Sequence, residues 1–262
     1  MTKPADVNAS APARSPDSLF ARDTIDGLRA AMEEASSAAR VALSGDVAAG
    51  SALAACEQVA RAVELSDAGK VEEARLLLDE VLATSDDPRL LYVGYQFHFR
   101  IGDHEAAERL IHRRLRVAAP ESAEAARAWN NLGLLCFMRK DLDGAEALFG
   151  RALEIDRRIG HEEGIARDLG NLSLVPESRG DFVEAERLNR EALAIAERVG
   201  ADSIIATRLC NLGEIMLARG QREEARGLLV RAAAAFGALG IEKHRAHCAR
   251  LCSEIDGLDP AS

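Results

Sequence analysis

Small and hydrophobic residues recur along the second half of this chain at a fixed interval of forty residues. Leu132, Leu172 and Leu212 share one register, and each directly follows an asparagine. Alanines repeat at two further registers: Ala145, Ala185 and Ala225, then Ala152, Ala192 and Ala232. Self-similarity at one period is typical of a repeat array, in which each unit buries its apolar face against its neighbours.

Each period contains two predicted helices, because its apolar positions are three or four residues apart. Glycines at 180 and 220 predict the turns inside a pair, and glycines at 160, 200 and 240 predict the caps that follow the second helices. The regular region spans residues 125–240, with predicted helix pairs at 125–139 with 142–159, 163–179 with 182–199, and 203–219 with 222–238. Val175-Pro176 lies within a predicted helix, so we expect a bend there or a local irregularity that packing tolerates.

The remainder of the chain is less regular. Residues 52–119 predict two diverged helix pairs, entered from a loop at 45–51 with Ser51 as a helix cap. Residues 242–256 predict one terminal helix that caps the exposed end of the array. Residues 1–16 are rich in Ala, Pro, Ser and Asp and predict a disordered tail. Residues 17–45 predict a helix whose apolar stripe caps the first repeat, forms a short coiled-coil seam or occupies the binding surface of the array.

Composition narrows the function classes. The formal net charge is -10 and aromatic residues make up 4% of the chain, which disfavours nucleic-acid binding. No apolar run approaches the roughly 20 residues of a membrane span, and the first residues lack the apolar core of a signal peptide. Five cysteines without metal-type spacing predict reduced thiols in a cytoplasmic protein.

The terminal helix carries the one group of residues that invites a metal interpretation. His244 and Cys248 are one helical turn apart, but Cys252 lies two turns from His244, roughly 12 Å along the axis. Position 252 also falls at the leucine register of the repeat, which predicts a buried core thiol. We therefore expect no metal site and no cofactor. The sequence also contains no phosphate-binding loop, nucleophile elbow or H-E-x-x-H motif.

The third predicted pair contains Trp129-x-x-Leu132-Gly133, followed by Ala145, Phe149 and Ala152. This pattern resembles the tetratricopeptide repeat, in the forty-residue variant found in kinesin light chains and in the Leu-Gly-Asn repeat modulators of G-protein signalling. The resemblance implies an all-α fold, a right-handed α-α superhelix of about five helix pairs with an N-terminal helix and a C-terminal capping helix. It is weaker over 52–119, where Arg114 stands in place of a small residue.

The resemblance also implies where a partner would bind, namely a concave groove lined by the first helix of each pair. The groove positions implied by the family are Asn131, Asn171, Asn211, Arg127, Arg167, Leu134, Leu174 and Met138, together with Glu214. Asparagine can clamp a peptide backbone through its donor and its acceptor, and arginine can bind a carboxylate. These residues suggest a peptide or protein segment that mixes acidic and aliphatic residues.

Several alternatives stay open at this stage. The asparagines could bond neighbouring helices, and each arginine could pair with nearby acids such as Glu124 or Glu163. The run His112-Arg113-Arg114-x-Arg116 is either an anion patch or an ion-paired face. We expect a non-enzymatic adaptor; the alternatives are a ligand- or peptide-sensing domain that acts on a separate effector, and an enzyme with a site near Tyr92, His98 and His104. The sequence leaves the oligomeric state open.

Overall fold

The computed structural model describes residues 47–257, and these residues form helices joined by short turns. In chain order the helices are α1 (Val47–Asp67), α2 (Val71–Thr84), α3 (Pro88–Arg100), α4 (His104–Val117), α5 (Ala123–Met138), α6 (Leu142–Ile159), α7 (Glu162–Leu172), α8 (Leu174–Ser178), α9 (Phe182–Val199), α10 (Asp202–Ala218), α11 (Arg222–Ala238) and α12 (Glu242–Gly257). The predicted all-α, right-handed α-α superhelix is confirmed. Within this part of the chain, no helix is long and apolar enough to cross a membrane.

The helices form antiparallel pairs that stack in sequence: α1 with α2, α3 with α4, α5 with α6, α7 and α8 with α9, and α10 with α11. The last helix, α12, has no second helix of its own among the described residues and packs mainly against α11. The first helices also contact one another between pairs, as α5 does with α7 and α7 with α10. They therefore form one continuous layer of the array.

The predicted loop at 45–51 is wrong for its described part, because α1 is already helical at Val47. Ser51 consequently lies inside a helix and does not cap one. The predicted tail at 1–16 and the predicted helix at 17–45 lie outside the described residues.

Local sequence explains where the second helices begin and end. Asp103, Asp141 and Asp181 stand before α4, α6 and α9, and each side chain accepts a backbone N–H of the first turn. Gly160 and Gly200 end α6 and α9 in the left-handed conformation, with φ of 70° and 71°. Glycine adopts this conformation without strain, so the chain can reverse directly into the next helix.

The glycine of the repeat motif marks the closest approach of the two helices in a pair. A Cβ atom at Gly133 would lie 2.7 Å from the Phe149 ring, and one at Gly213 would lie 2.7 Å from Leu229 Cγ. Any larger side chain would force the helices apart, which explains the small residue at this register.

Pro176 interrupts the first helix of the fourth pair. It has no N–H to donate to the Leu172 carbonyl, and the helix is divided at Ser173 into α7 and α8. The backbone continues with Glu177 N donating to Ser173 O at 3.2 Å, so the chain bends without leaving the array. The irregularity expected from Val175-Pro176 is therefore present as a divided helix.

Candidate functional site

Adjacent first helices contact each other through the same two positions of the repeat at three successive interfaces. The pairs are Asn130 with Asp168, Gly170 with Arg208, and Cys210 with Cys248. The chemistry differs at each interface, although the backbone position is the same. A hydrogen bond of 2.8 Å joins the first pair, a guanidinium packs on glycine in the second, and two sulfurs lie 3.5 Å apart in the third. The layer of first helices is thus held partly by polar contacts.

The three asparagines of the repeat motif have different surroundings. Asn171 Nδ2 donates to Asn130 Oδ1 at 2.8 Å, so this amide has a partner within the array. Asn131 and Asn211 are 7% and 4% exposed, and neither Nδ2 atom has a hydrogen-bond partner among residues 47–257. A buried donor without a partner carries a desolvation cost of about 1–3 kcal/mol that a bound carbonyl oxygen would remove.

Arg167 is engaged by two buried aspartates. Its guanidinium lies 2.9 Å from both Asp156 Oδ2 and Asp168 Oδ1, and both carboxylates are fully buried. His161 Nδ1 lies 3.1 Å from the other oxygen of Asp156. Burial raises the pKa of Asp168 to about 7, against the lowering effect of Arg167. Arg167 therefore neutralises carboxylates of its own chain, and these differ from the Glu163 considered from the sequence.

Arg127 has a different environment. Its guanidinium carbon lies 5.8 Å from the centre of the Tyr92 ring, and it makes no ion pair with any described residue. Arg114 of α4 contacts the same ring at 4.8 Å and is 5% exposed. Two arginines from different helices thus share one aromatic ring.

The donors of this cluster are not satisfied. Nε and Nη1 of Arg114, and the hydroxyl oxygen of Tyr95, are buried without a hydrogen-bond partner in the described part of the chain. Burial lowers the pKa of Arg114 to about 10, and the charge of Arg127 acts in the same direction. Arg114 is still protonated at neutral pH. We name Tyr92, Tyr95, Arg114 and Arg127 the arginine–tyrosine cluster.

Sequence reasoning found only part of this cluster. The groove register of the repeat predicts Arg127, and Arg114 occupies the register of Ala152, Ala192 and Ala232, where a small residue is expected. The arginine at this small-residue register is the one feature of the sequence that points to the cluster. Its neighbour Arg113 forms an ion pair with Asp86 at 2.8 Å, whereas Arg114 forms none with the residues that the structure describes.

The three apolar groove candidates pack against the core. Leu134 and Leu174 are 3% and 2% exposed and lie together in a cluster that includes Phe149. Met138 is partly buried and packs against the apolar core of α1–α5. The structure brings Leu134 and Leu174 into contact with the helix-pair interior and leaves only Met138 partly accessible.

The residues considered for an enzymatic site have separate partners. His98 Nε2 lies 2.9 Å from Asp79 Oδ1, the His104 ring packs edge-on against Phe99 at 5.6 Å, and Tyr92 lies beneath the two arginines.

The model of the tetratricopeptide repeat family matches residues 96–158 and 164–238. No curated protein sequence matches the chain. BtubC (BKLC) from P. vanneervenii is 22% identical, with 83% of this chain and 92% of that chain covered and a TM-score of 0.59. Kinesin-light-chain-type repeats from Podosopora anserina are 19% identical, with 70% and 95% covered and a TM-score of 0.53. A Rap protein complexed with Competence and Sporulation Factor is 16% identical, with 91% and 69% covered and a TM-score of 0.64. These three likenesses concern the fold.

Proposed function

Because this chain belongs to the tetratricopeptide repeat family, we propose that it is a non-enzymatic adaptor that binds an extended segment of a partner protein or peptide along its first helices. The forty-residue repeat variant of the kinesin light chains is the form of the family present here. A repeat domain of this family supports protein–protein interaction in general terms. The choice of groove and of partner chemistry is our proposal.

The arginine–tyrosine cluster is the observation that carries the proposal. A desolvated guanidinium with unused donors is costly unless an anion pairs with it. A carboxylate from a partner would bind the partly exposed Arg127, and its charge would also stabilise the Arg114 guanidinium on the same Tyr92 ring. Hydrogen bonds to charged groups are worth about 1.5–3 kcal/mol, so one acidic side chain at this point would anchor a segment.

The asparagines extend this anchor into a binding path. Asn131 lies one helical turn beyond Arg127 on α5, and Asn211 lies on α10. Their partnerless Nδ2 atoms would donate to carbonyl oxygens of an extended segment, whatever its side chains. Asn171 and Arg167 would support the path from within the array, since both are held by other residues of this chain. Met138, about two helical turns beyond Asn131 on α5, would offer an aliphatic contact further along the path, while Leu134 and Leu174 would form the floor beneath the path.

The test is selection from a random peptide library presented to the full chain, comparing wild type with Arg127→Gln and with the double variant Asn131→Ala/Asn211→Ala. We expect wild type to enrich peptides with an acidic residue beside aliphatic ones, and Arg127→Gln to lose that acidic preference with at least tenfold weaker binding. The Asn variant should bind every selected peptide more weakly. Binding should also weaken as salt is raised, because the anchor is electrostatic.

Arg157→Gln is the matched control, because this substitution removes one positive charge from α6, where Arg157 pairs with Glu191 at 3.3 Å. Circular dichroism should show every variant to be helical. If wild type enriches no sequence, or if Arg127→Gln selects the same acidic peptides with unchanged affinity, the proposed site is wrong.

A further inference from the structure

A compact group of metal-ligating side chains lies between α10 and α12. Cys210 Sγ, a carboxylate oxygen of Glu214 and a ring nitrogen of His247 all lie within 4.8 Å of one another. His247 Nε2 is 2.6 Å from Glu214 Oε1, and Cys210 Sγ is 3.8 Å from the same oxygen. Cys248 Sγ, which is fully buried, lies 3.5 Å from Cys210 Sγ.

These separations are close to those of ligands around one tetrahedral ion. With Zn–S bonds of about 2.3 Å and Zn–O bonds of about 2.0–2.2 Å, a sulfur and an oxygen of one tetrahedron are about 3.6 Å apart, close to the 3.8 Å between Cys210 Sγ and Glu214 Oε1. Nitrogen and oxygen ligands at about 2.0–2.2 Å would be about 3.4 Å apart, so His247 and Glu214 need to separate by about 0.8 Å. Both side chains are partly exposed, at 31% and 20%, and can make this adjustment.

We propose that Cys210, Glu214 and His247 bind a zinc-type divalent metal ion as its three protein ligands, with the Cys248 thiol packed beside Cys210 outside this group. Thiolate, imidazole and carboxylate together suit a borderline-soft ion such as Zn²⁺, whereas Mg²⁺ and Ca²⁺ prefer oxygen alone. Cys210 comes from the last helix pair and His247 from the terminal helix, so the ion would join α12 to α10 across the layer of first helices. The expectation of no metal site considered only spacing along the terminal helix, which does not include Cys210 or Glu214.

Binding requires specific proton changes. The Cys210 thiol loses its proton to solvent when sulfur bonds to the metal. His247 would coordinate through Nε2, so Nε2 gives up any proton to solvent and the ring proton of the complex is on Nδ1, which lies 3.1 Å from Arg250 Nη2. Arg250 must turn away, and it already pairs with Glu254 at 2.5 Å on an exposed surface. The rearrangement therefore gives up the exposed contact between Arg250 and His247, and it replaces the His247–Glu214 hydrogen bond with two bonds to the metal.

The test uses the full chain, reduced and stripped with a chelator, and Co²⁺ as the spectroscopic probe. We expect one equivalent of Co²⁺ to produce a sulfur-to-cobalt charge-transfer band that Zn²⁺ removes by competition. Cys210→Ser should abolish the band, and His247→Gln should weaken binding at least tenfold. Zn²⁺ should also slow hydrogen exchange in α12 of wild type but not of His247→Gln.

Cys252→Ser is the matched control. Cys252 lies one helical turn after Cys248 on α12, is partly buried and does not belong to the group of Cys210, Glu214 and His247. The variant should keep the band and the affinity. Should Cys210→Ser fail to fold by circular dichroism, His247→Gln decides the question, since His247 is partly exposed. The proposal is overturned if reduced wild type gives no charge-transfer band, or if Cys210→Ser folds and keeps the band. It is also overturned if His247→Gln binds Co²⁺ as tightly as wild type, or if Cys252→Ser loses the band.

Discussion

At the scale of single residues, the buried charges were the least predictable feature of this chain. The forty-residue period predicts which positions point inwards, but it cannot tell that Asp156 and Asp168 occupy such positions with Arg167 between them. The partners of Asp168 include Asn130 from the preceding pair, and contacts between pairs leave no spacing signal within one helix. Arg127 and Arg167 share one register of the repeat, yet among the described residues only Arg167 forms ion pairs with carboxylates.

Asp168 should make stability depend on pH in a definite direction. Its pKa is about 7 when folded, owing mainly to burial, and about 3.9 when unfolded, so the folded chain binds the extra proton between these values. Stability should therefore fall as pH rises from about 4 to about 7, by at most about 1.4 kcal/mol per pH unit from this group, and then level off. Asp168→Asn should remove this contribution, so the free energy of unfolding of the variant relative to wild type should rise across the window.

Urea unfolding of both proteins from pH 4.5 to 8.5 measures this difference. Asp143→Asn is the control, because the Asp143 side chain is 94% exposed and pairs with Arg179 at the surface. A difference between wild type and Asp168→Asn that stays constant with pH would show that Asp168 is ionised throughout.

At the scale of helices, the fourth pair differs from its neighbours at the position where the two helices of a pair approach most closely. Gly133 faces Phe149 and Gly213 faces Leu229, whereas Ser173 donates to Gly170 O at 2.8 Å and accepts from Asn189 at 2.7 Å. The sequence predicted a small residue at this register, and that was sufficient for the fold. The hydrogen bond between Ser173 and Asn189 was not predicted, because it requires two registers to change together.

Replacing Pro176 would test whether packing requires the division between α7 and α8, or whether the division results only from the missing N–H of proline. Pro176→Ala restores a donor for the Leu172 carbonyl, and proline inside a helix costs about 3 kcal/mol. We expect the variant to be more stable by about 1–3 kcal/mol in thermal or urea unfolding. Gly150→Ala calibrates the measurement, since Gly150 lies within α6 with open space around it and should gain about 1 kcal/mol. A loss of stability in Pro176→Ala would mean that the bend is required by the packing of Leu174 and Val175.

At the scale of the whole molecule, the apolar core is not continuous. One buried cluster runs from Val59 to Leu135 and another from Ala185 to Ile255, with two smaller clusters between them. The buried polar network of Asp156, Arg167 and Asp168 lies in that middle region. Repeat arrays are stabilised by each unit and by its interfaces with its neighbours, so a polar interface can separate two parts that unfold under different conditions.

Trp129, the single tryptophan of the chain, packs against the first of these clusters and reports on that part alone. Leu91 and Leu212 are both fully buried, one in each large cluster, and replacing a buried leucine by alanine costs about 2–5 kcal/mol. Leu91→Ala should therefore lower the urea midpoint of Trp129 fluorescence. Leu212→Ala should leave that midpoint nearly unchanged and lower the urea midpoint of part of the circular dichroism signal. The reason is that the C-terminal repeats would unfold at lower urea while the N-terminal repeats stay folded. If both substitutions shift the fluorescence and dichroism transitions equally, the array unfolds as one cooperative unit, and the buried charges transmit stability across the middle of the molecule as effectively as an apolar interface would.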